Sequence, residues 1–383
     1  MADIRKFVAP EIIFGSTALG HVGRYARNFG AEKPFIVTDP GVMQAGWAQE
    51  VMDQLEDQGL AYVLFSGVSP NPRDFEVMEG AEMYLQNQCD LIIAVGGGSV
   101  MDCAKGIGIV STNGLHISVF EGIDNVDTPG PPLICIPTTS GSSADVSQFA
   151  IINDTGRRMK FAIISNSMVP DLTLIDPRVC MTMSPYLTAC TAMDALVHAI
   201  EAFVSTAHSS MTDLHALEAI RLLRTHLPLA VNQPDDLSAR TQLMLGSMQA
   251  GLAFSNASLG AVHSLAHSLG GYLDLPHGEC NAILLDHVIM FNYKHAPERY
   301  DRVARELGID IQGRTSSEKA RLLLQDLTQL KKELGIAYGL ADKGLKVSDV
   351  KILAQHAVKD PCLITNPRKA KQRDLEVLYE EAL

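Results

Sequence analysis

Three histidines stand in a stretch that is otherwise mostly apolar. AVHSLAHSLGGYLDLPHGEC, residues 261–280, sets His263, His267 and His277 among Ala, Leu, Gly and Val. An imidazole is costly to bury unless its ring nitrogens find partners. His263 and His267 are spaced i, i+4, so on a helix they share one face. His277 follows in a predicted loop, between Pro276 and Gly278. Earlier, MDALVHAI (193–200) repeats the i, i+4 spacing with Asp194 and His198, flanked by Ala195, Leu196, Val197, Ala199 and Ile200. One carboxylate and several imidazoles in an apolar surround suit a divalent transition metal. Taken singly, each pair also fits a hydrogen-bonded core or surface pair; both together favour the metal. HExxH is absent, since Ser264 follows His263, which disfavours a zinc peptidase.

A second chemical signal is VGGGSVMDCAKGIG (95–108). Gly96, Gly97 and Gly98 permit a tight turn and close approach of a ligand to the backbone. Ser99 falls where a new helix exposes its free N–H groups, a place for a phosphate. The spacing matches neither GxGxxG nor GxxxxGK[ST], and a strand-to-helix turn without a ligand fits as well. Asp39 closes a predicted strand, where a carboxylate can accept from an adenosine ribose and repel a 2′-phosphate; capping a helix is its other reading. PTTSGSSADVS (137–147) supplies a hydroxyl-rich loop after a buried strand, either a ligand loop or an ordinary polar turn.

The elements that must position these groups differ between the two halves. KPFIVTD (33–39), AYVLFSGV (61–68), CDLIIAVGGGS (89–99) and PPLICIPTT (131–139) read as strands, with a helical pattern over roughly 42–58 and another helix after SPNPRD. Strand–helix alternation predicts a parallel, doubly wound sheet. QFAIIND and KFAIISN (148–154 and 160–166) read as a hairpin around DTGRR. From SPYLTAC onward helical periodicity dominates, with Ser184 as N-cap and Pro185 at the first helical position. The expected domains are therefore 1–183, α/β and dinucleotide-binding, and 184–383, all-helical and metal-binding.

Composition narrows the function classes. The chain has 383 residues, 46% hydrophobic and 20% charged, enough for a large core. A net charge of −13 disfavours a nucleic-acid partner held by phosphate contacts. No uninterrupted apolar run is long enough to span a bilayer, and the opening MADIRKFVAPEIIFG lacks the pattern of a signal peptide. Seven scattered cysteines without a CxxC pair read as reduced thiols of a cytoplasmic protein.

The motifs are also collinear with a known family. IIFGSTALGHVG, VSPNP, AVGGGSVMDCAKGIG, PTTSGSSADVS, DPR, MDALVHAIEAFVS, HSLAHSLGGYLDLPHG and TNPR (365–368) follow one another along the chain. In them the chain resembles, over nearly its whole length, the iron-containing alcohol dehydrogenases. These include lactaldehyde reductases, 1,3-propanediol dehydrogenases and butanol dehydrogenases. The resemblance implies the dehydroquinate synthase-like fold: an α/β N-terminal domain with a Rossmann-like parallel sheet, then an all-α domain. It implies Asp194, His198, His263 and His277 as ligands of Fe²⁺, with Zn²⁺ or another divalent metal as alternatives. It implies NAD(H) contacts from Asp39, Asn71, Gly97, Gly98, Ser99, Thr138, Thr139, Ser142 and Lys160. SGSSAD stands where many relatives have AGTGSE, which leaves the individual hydroxyl contacts open.

The implied reaction is hydride transfer between nicotinamide and a short primary alcohol, diol or functionalised acetaldehyde, in a cleft between the domains. His267 either relays the proton or only orients the site. Phe149 and Phe254 either line a small pocket or belong to the core. Glycerol dehydrogenase-like polyol oxidation and a non-redox metal- and nucleotide-binding module are the alternative functions. A homodimer or larger homo-oligomer is expected from the resemblance alone.

Overall fold

The computed structural model describes residues 6–336 and 339–383. The opening stretch read above for a signal peptide begins in residues 1–5, outside the described residues. The chain forms two compact units, Val8–Thr182 and Met183–Leu383, and Phe7 groups with the second. Its ring stacks on His215, with centroids 5.4 Å apart.

The first unit carries nine strands in chain order: β1 (Glu11–Phe14), β2 (Pro34–Val37), β3 (Val63–Phe65), β4 (Leu91–Gly96), β5 (Gly122–Ile123), β6 (Leu133–Pro137), β7 (Phe149–Asp154), β8 (Met159–Ile164) and β9 (Leu172–Ile175). Six of them form one sheet in the order β1-β9-β6-β4-β2-β3, with every neighbouring pair parallel. Strands β2, β4 and β6 are buried along their whole length, which is why they read as unbroken apolar runs. The chain steps from β2 outward to β3, then crosses back to β4 on the other side of β2. The order therefore reverses between β2 and β4, and the crevice at the carboxyl ends of such strands takes ligands. Asp39 and the glycine turn lie just past those two ends.

Two details of this unit differ from the expectation, and a third extends it. The helical pattern over 42–58 is two helices, Pro40–Ala45 and Trp47–Asp57, divided at Gly46, whose φ of 86° no helix interior allows. The four-residue strands β1 and β9 add an edge that periodicity does not reveal. The hairpin forms, pairing Phe149 with Ile164 through Asp154 with Met159. It belongs, however, to a separate three-stranded sheet, β5-β8-β7.

Among the described residues from Met183 onward no strand forms. The helix Pro185–Val204 starts as expected: Ser184 Oγ accepts from the Leu187 N–H at 3.2 Å, with Pro185 at the first position. It is long and apolar enough to cross a bilayer, but 89% of its apolar window is buried in the protein. Asp194, His198 and Glu201 interrupt it. Helices Leu237–Ala257, Ala261–Leu273 and His277–Asn292 complete the frame of the site. His277, expected in a loop, is the first residue of its helix; Pro276 before it sets a backbone angle suited to a helix start.

Candidate metal centre and nucleotide turn

In the helical unit Asp194, His198, His263 and His277 each offer one ligand atom, and these atoms all lie within 4.8 Å of one another. Asp194 Oδ1 is 3.7 Å from His263 Nε2 and 3.8 Å from His277 Nε2. Those gaps are long for hydrogen bonds. They are close to the spacing of about 3.0–3.5 Å between neighbouring ligands on an ion with bonds of about 2.1 Å. The donor set therefore fits a divalent cation. Asp194 and His263 are almost wholly buried, while the His277 side chain keeps 27% of its exposure. The cluster thus opens on the His277 side.

Packing fixes the rings. His198 lies between Phe254 and His263, with centroids 4.3 and 4.5 Å away, and His267 stacks on His277 at 5.2 Å. Burial pushes the Asp194 carboxyl up, but the fields of His198, His277 and His263 outweigh it and hold it well below the usual range. Burial lowers the His263 ring, and the carboxylates of Asp194 and Glu201 raise it to about 9. Such a concentration of negative charge around one imidazole favours a cation.

In the sheet unit, β4 runs into the helix Gly98–Asn113 through Gly97. A Cβ on Gly97 would stand 3.2 Å from Thr139, and one on Gly98 would stand 2.6 Å from Ser142 Oγ. The hydroxyl loop therefore closes down on the turn. The Thr138 N–H donates to the Gly96 carbonyl at 2.9 Å. The Asn71 N–H donates to Ser99 Oγ at 3.2 Å, and Lys160 Nζ donates to Asn71 Oδ1 at 2.6 Å. All the expected nucleotide residues except Asp39 are thus linked around one turn. Asp39 caps the helix Pro40–Ala45, its Oδ1 accepting from Gly41 and Val42. It is only half-buried, and capping occupies a single carboxylate oxygen.

Residues 9–177 match the profile described as iron-containing alcohol dehydrogenase, and residues 188–383 match the C-terminal profile of the Fe-containing alcohol dehydrogenase family.

The chain belongs to the iron-containing alcohol dehydrogenase family.

It is 36% identical over 379 residues to a 1,3-propanediol dehydrogenase of Citrobacter freundii, covering 98% of each chain. It is 35% identical over 377 residues to an NAD-dependent methanol dehydrogenase of Bacillus methanolicus, covering 98% of this chain and 99% of the relative. A solved 1,3-propanediol oxidoreductase superposes with a TM-score of 0.96 at 36% identity, covering 100% of both chains.

Around these groups this iron-containing alcohol dehydrogenase also has contacts that the sequence pattern does not reveal. Asn281 Nδ2 donates to Asp194 Oδ1 at 2.6 Å and lies 3.1 and 3.2 Å from the Nε2 atoms of His263 and His277. It stands at i+4 from His277, the one signal that could have marked it. His267 Nδ1 is 2.8 Å from Asp360 Oδ2, and Asp360 Oδ1 accepts from the Cys362 N–H at 2.8 Å. Burial pushes the Asp360 carboxyl up; His267 and that N–H outweigh it and lower it. Lys105 is buried and donates to the carbonyls of Ser147 and Phe149, each at 2.8 Å. It fastens the end of the hydroxyl loop to the helix of the glycine turn. Phe149 sits in β7 of the sheet unit, and Phe254 packs on His198 in the helical unit.

Proposed function

We propose that the chain is an NAD(H)-dependent, divalent-metal-dependent alcohol dehydrogenase and aldehyde reductase for short primary alcohols, diols or functionalised acetaldehydes. The observation that carries this reading is the convergence of Asp194, His198, His263 and His277 in one buried cluster open on a single side. When bound, the cation supplies Lewis acidity toward a carbonyl or alkoxide oxygen, and the nicotinamide supplies hydride chemistry. Asp194 and the three imidazoles hold the cation; imidazole and carboxylate accept Fe²⁺ and Zn²⁺ alike, and the family favours Fe²⁺. Gly97, Gly98 and Ser99 bind pyrophosphate with backbone N–H groups and a hydroxyl. Thr138, Thr139, Ser142, Asn71 and Lys160 orient the rest of the dinucleotide. Asp39 keeps one carboxylate oxygen for a ribose hydroxyl and so favours NAD over NADP. The apolar packing around the cluster excludes water.

His267 moves the proton at its Nε2, with Asp360 fixing the Nδ1–H tautomer. His267→Ala is expected to lower turnover and to shift the pH profile of kcat. A profile of unchanged shape removes the relay role and leaves His267 as an orienting ring.

A panel of short aldehydes tests the whole reading. NADH is expected to be consumed, chelation to abolish the activity, and added Fe²⁺ to restore it. No consumption by metal-loaded protein across the panel overturns the redox reading in favour of a metal- and nucleotide-binding module. NADPH used better than NADH overturns the role of Asp39. We place the enzyme in the cytoplasm, a reading supported by seven buried, unbridged cysteines. The family resemblance is what supports a homo-oligomer.

A further inference from the structure

The helix Ala261–Leu273 carries His263 in its first turn, yet its N-cap is Gly260, which has no side chain to cap with. The free N–H groups are satisfied from elsewhere in the chain. Glu201 Oε2 accepts from Gly260 at 3.1 Å and from the His263 N–H at 3.4 Å, and Glu201 Oε1 accepts from Val262 at 2.7 Å. Asn366 Oδ1 accepts from Ala261 at 3.1 Å. A Cβ on residue 260 would stand 2.8 Å from Glu201 Oε1 and 2.9 Å from Asn366 Oδ1. An ordinary capping residue is therefore excluded by the two side chains that replace it. Asn366 is held in turn by a reciprocal amide pair with Asn292, both bonds 2.8 Å long. This accounts for the asparagine of TNPR.

The two caps are not equivalent. Glu201 Oε2 is also 2.7 Å from His263 Nδ1. Both side chains are buried, Glu201 at 3% and His263 at 1% exposure. A carboxylate accepting from Nδ1–H fixes the tautomer, turns Nε2 toward Asp194 and strengthens the ring as a donor.

We infer that Glu201 is a positioning residue for the metal centre, tying the start of the His263 helix and the His263 tautomer to one carboxylate. This rests on the metal reading of the site. It adds a residue that sets metal affinity without touching the metal.

Chelator-stripped protein titrated with Co²⁺, in competition with a chromophoric chelator, tests it. Glu201→Gln is expected to weaken Co²⁺ binding by about 10–100-fold and to alter the visible spectrum of the bound ion. Asn366→Ala, which removes a cap without touching an imidazole, is expected to lower the thermal midpoint and to leave Co²⁺ affinity within about threefold. Co²⁺ binding by Glu201→Gln within about threefold of wild type overturns the inference, as does an equal loss of affinity in Asn366→Ala. Should Glu201→Gln fail to fold, histidine ¹⁵N–¹H correlations of the Zn²⁺-loaded wild type decide: Nδ1-protonated His263 supports the inference, and an Nε2-protonated ring overturns it. A wild type that takes up no equivalent of Co²⁺ removes the metal reading itself. A wild type that binds one equivalent beside an unaffected Glu201→Gln removes only the positioning role.

Discussion

Asp194→Ala is expected to leave a protein that retains no equivalent of metal after dialysis and whose kcat/KM falls by about 10³-fold or more. Asp194 is the only carboxylate among the four converging side chains. Without it, three imidazoles must hold a divalent cation with no anionic ligand in a site that admits little water. The loss of Lewis acidity accounts for about 4 kcal/mol of the barrier, and each 1.4 kcal/mol is about tenfold in rate. Asn281 also loses the acceptor it meets at 2.6 Å, so a modest fall in stability accompanies the chemical effect. Metal content by elemental analysis and steady-state kinetics check the result. Wild-type metal content with wild-type turnover removes Asp194 from the ligand set.

Gly278→Ala is expected to produce a large but smaller defect from a single methyl group. A Cβ there would stand 2.2 Å from the Cys190 carbonyl oxygen, 2.8 Å from its carbon and 3.2 Å from Asp194 Cβ. The obstacle is helix backbone, which cannot rotate aside. The helix beginning at His277 must back away from the one that carries Asp194. A shift of about 1 Å separates two ligands and costs about 10²-fold in turnover. The overpacking costs about 1–3 kcal/mol of stability. Gly20→Ala is the control, since a Cβ at Gly20 meets nothing within 4 Å. Metal affinity, turnover and the thermal midpoint are the readouts, and parity of the two variants in all three contradicts the packing argument.

Much of this site was legible because its residues break a local pattern. Asp194, His198, His263 and His267 are polar groups at helical spacing inside apolar runs, and such groups need a reason to be there. The glycine turn was legible for the complementary reason, a run without side chains at the end of a buried strand. What escaped were the partners. Glu201 lies at i+3 from His198, on the same face, but a glutamate on a helix ordinarily reads as a solvated charge. Asp360 and Asn366 meet their partners across 93 and 105 residues, and a contact at that separation leaves no period to read; Asn281 shares a face with His277 at i+4, but its contact with Asp194 spans 87 residues. The fold divides in the same way. β2, β4 and β6 are wholly buried and apolar along their length; β1 opens on an exposed glutamate and is only partly buried, and β9 carries Thr173 in its middle, so neither prints an apolar run. Gly46 inside an amphipathic stretch signals a break only when its backbone angle is known. His277 was misread because a helix can begin at a Pro-preceded residue without a polar cap.

The converging side chains come from three separate helices, which begin at Pro185, Ala261 and His277. A cation held among them ties together stretches far apart in the chain, as a cross-link does, and favours the folded form by mass action. A bound cation would then affect more than the active fraction of the enzyme. Chains made when the metal is scarce spend more time open and meet proteases more often. Metal-free protein is therefore expected to be digested by a protease faster than metal-loaded protein.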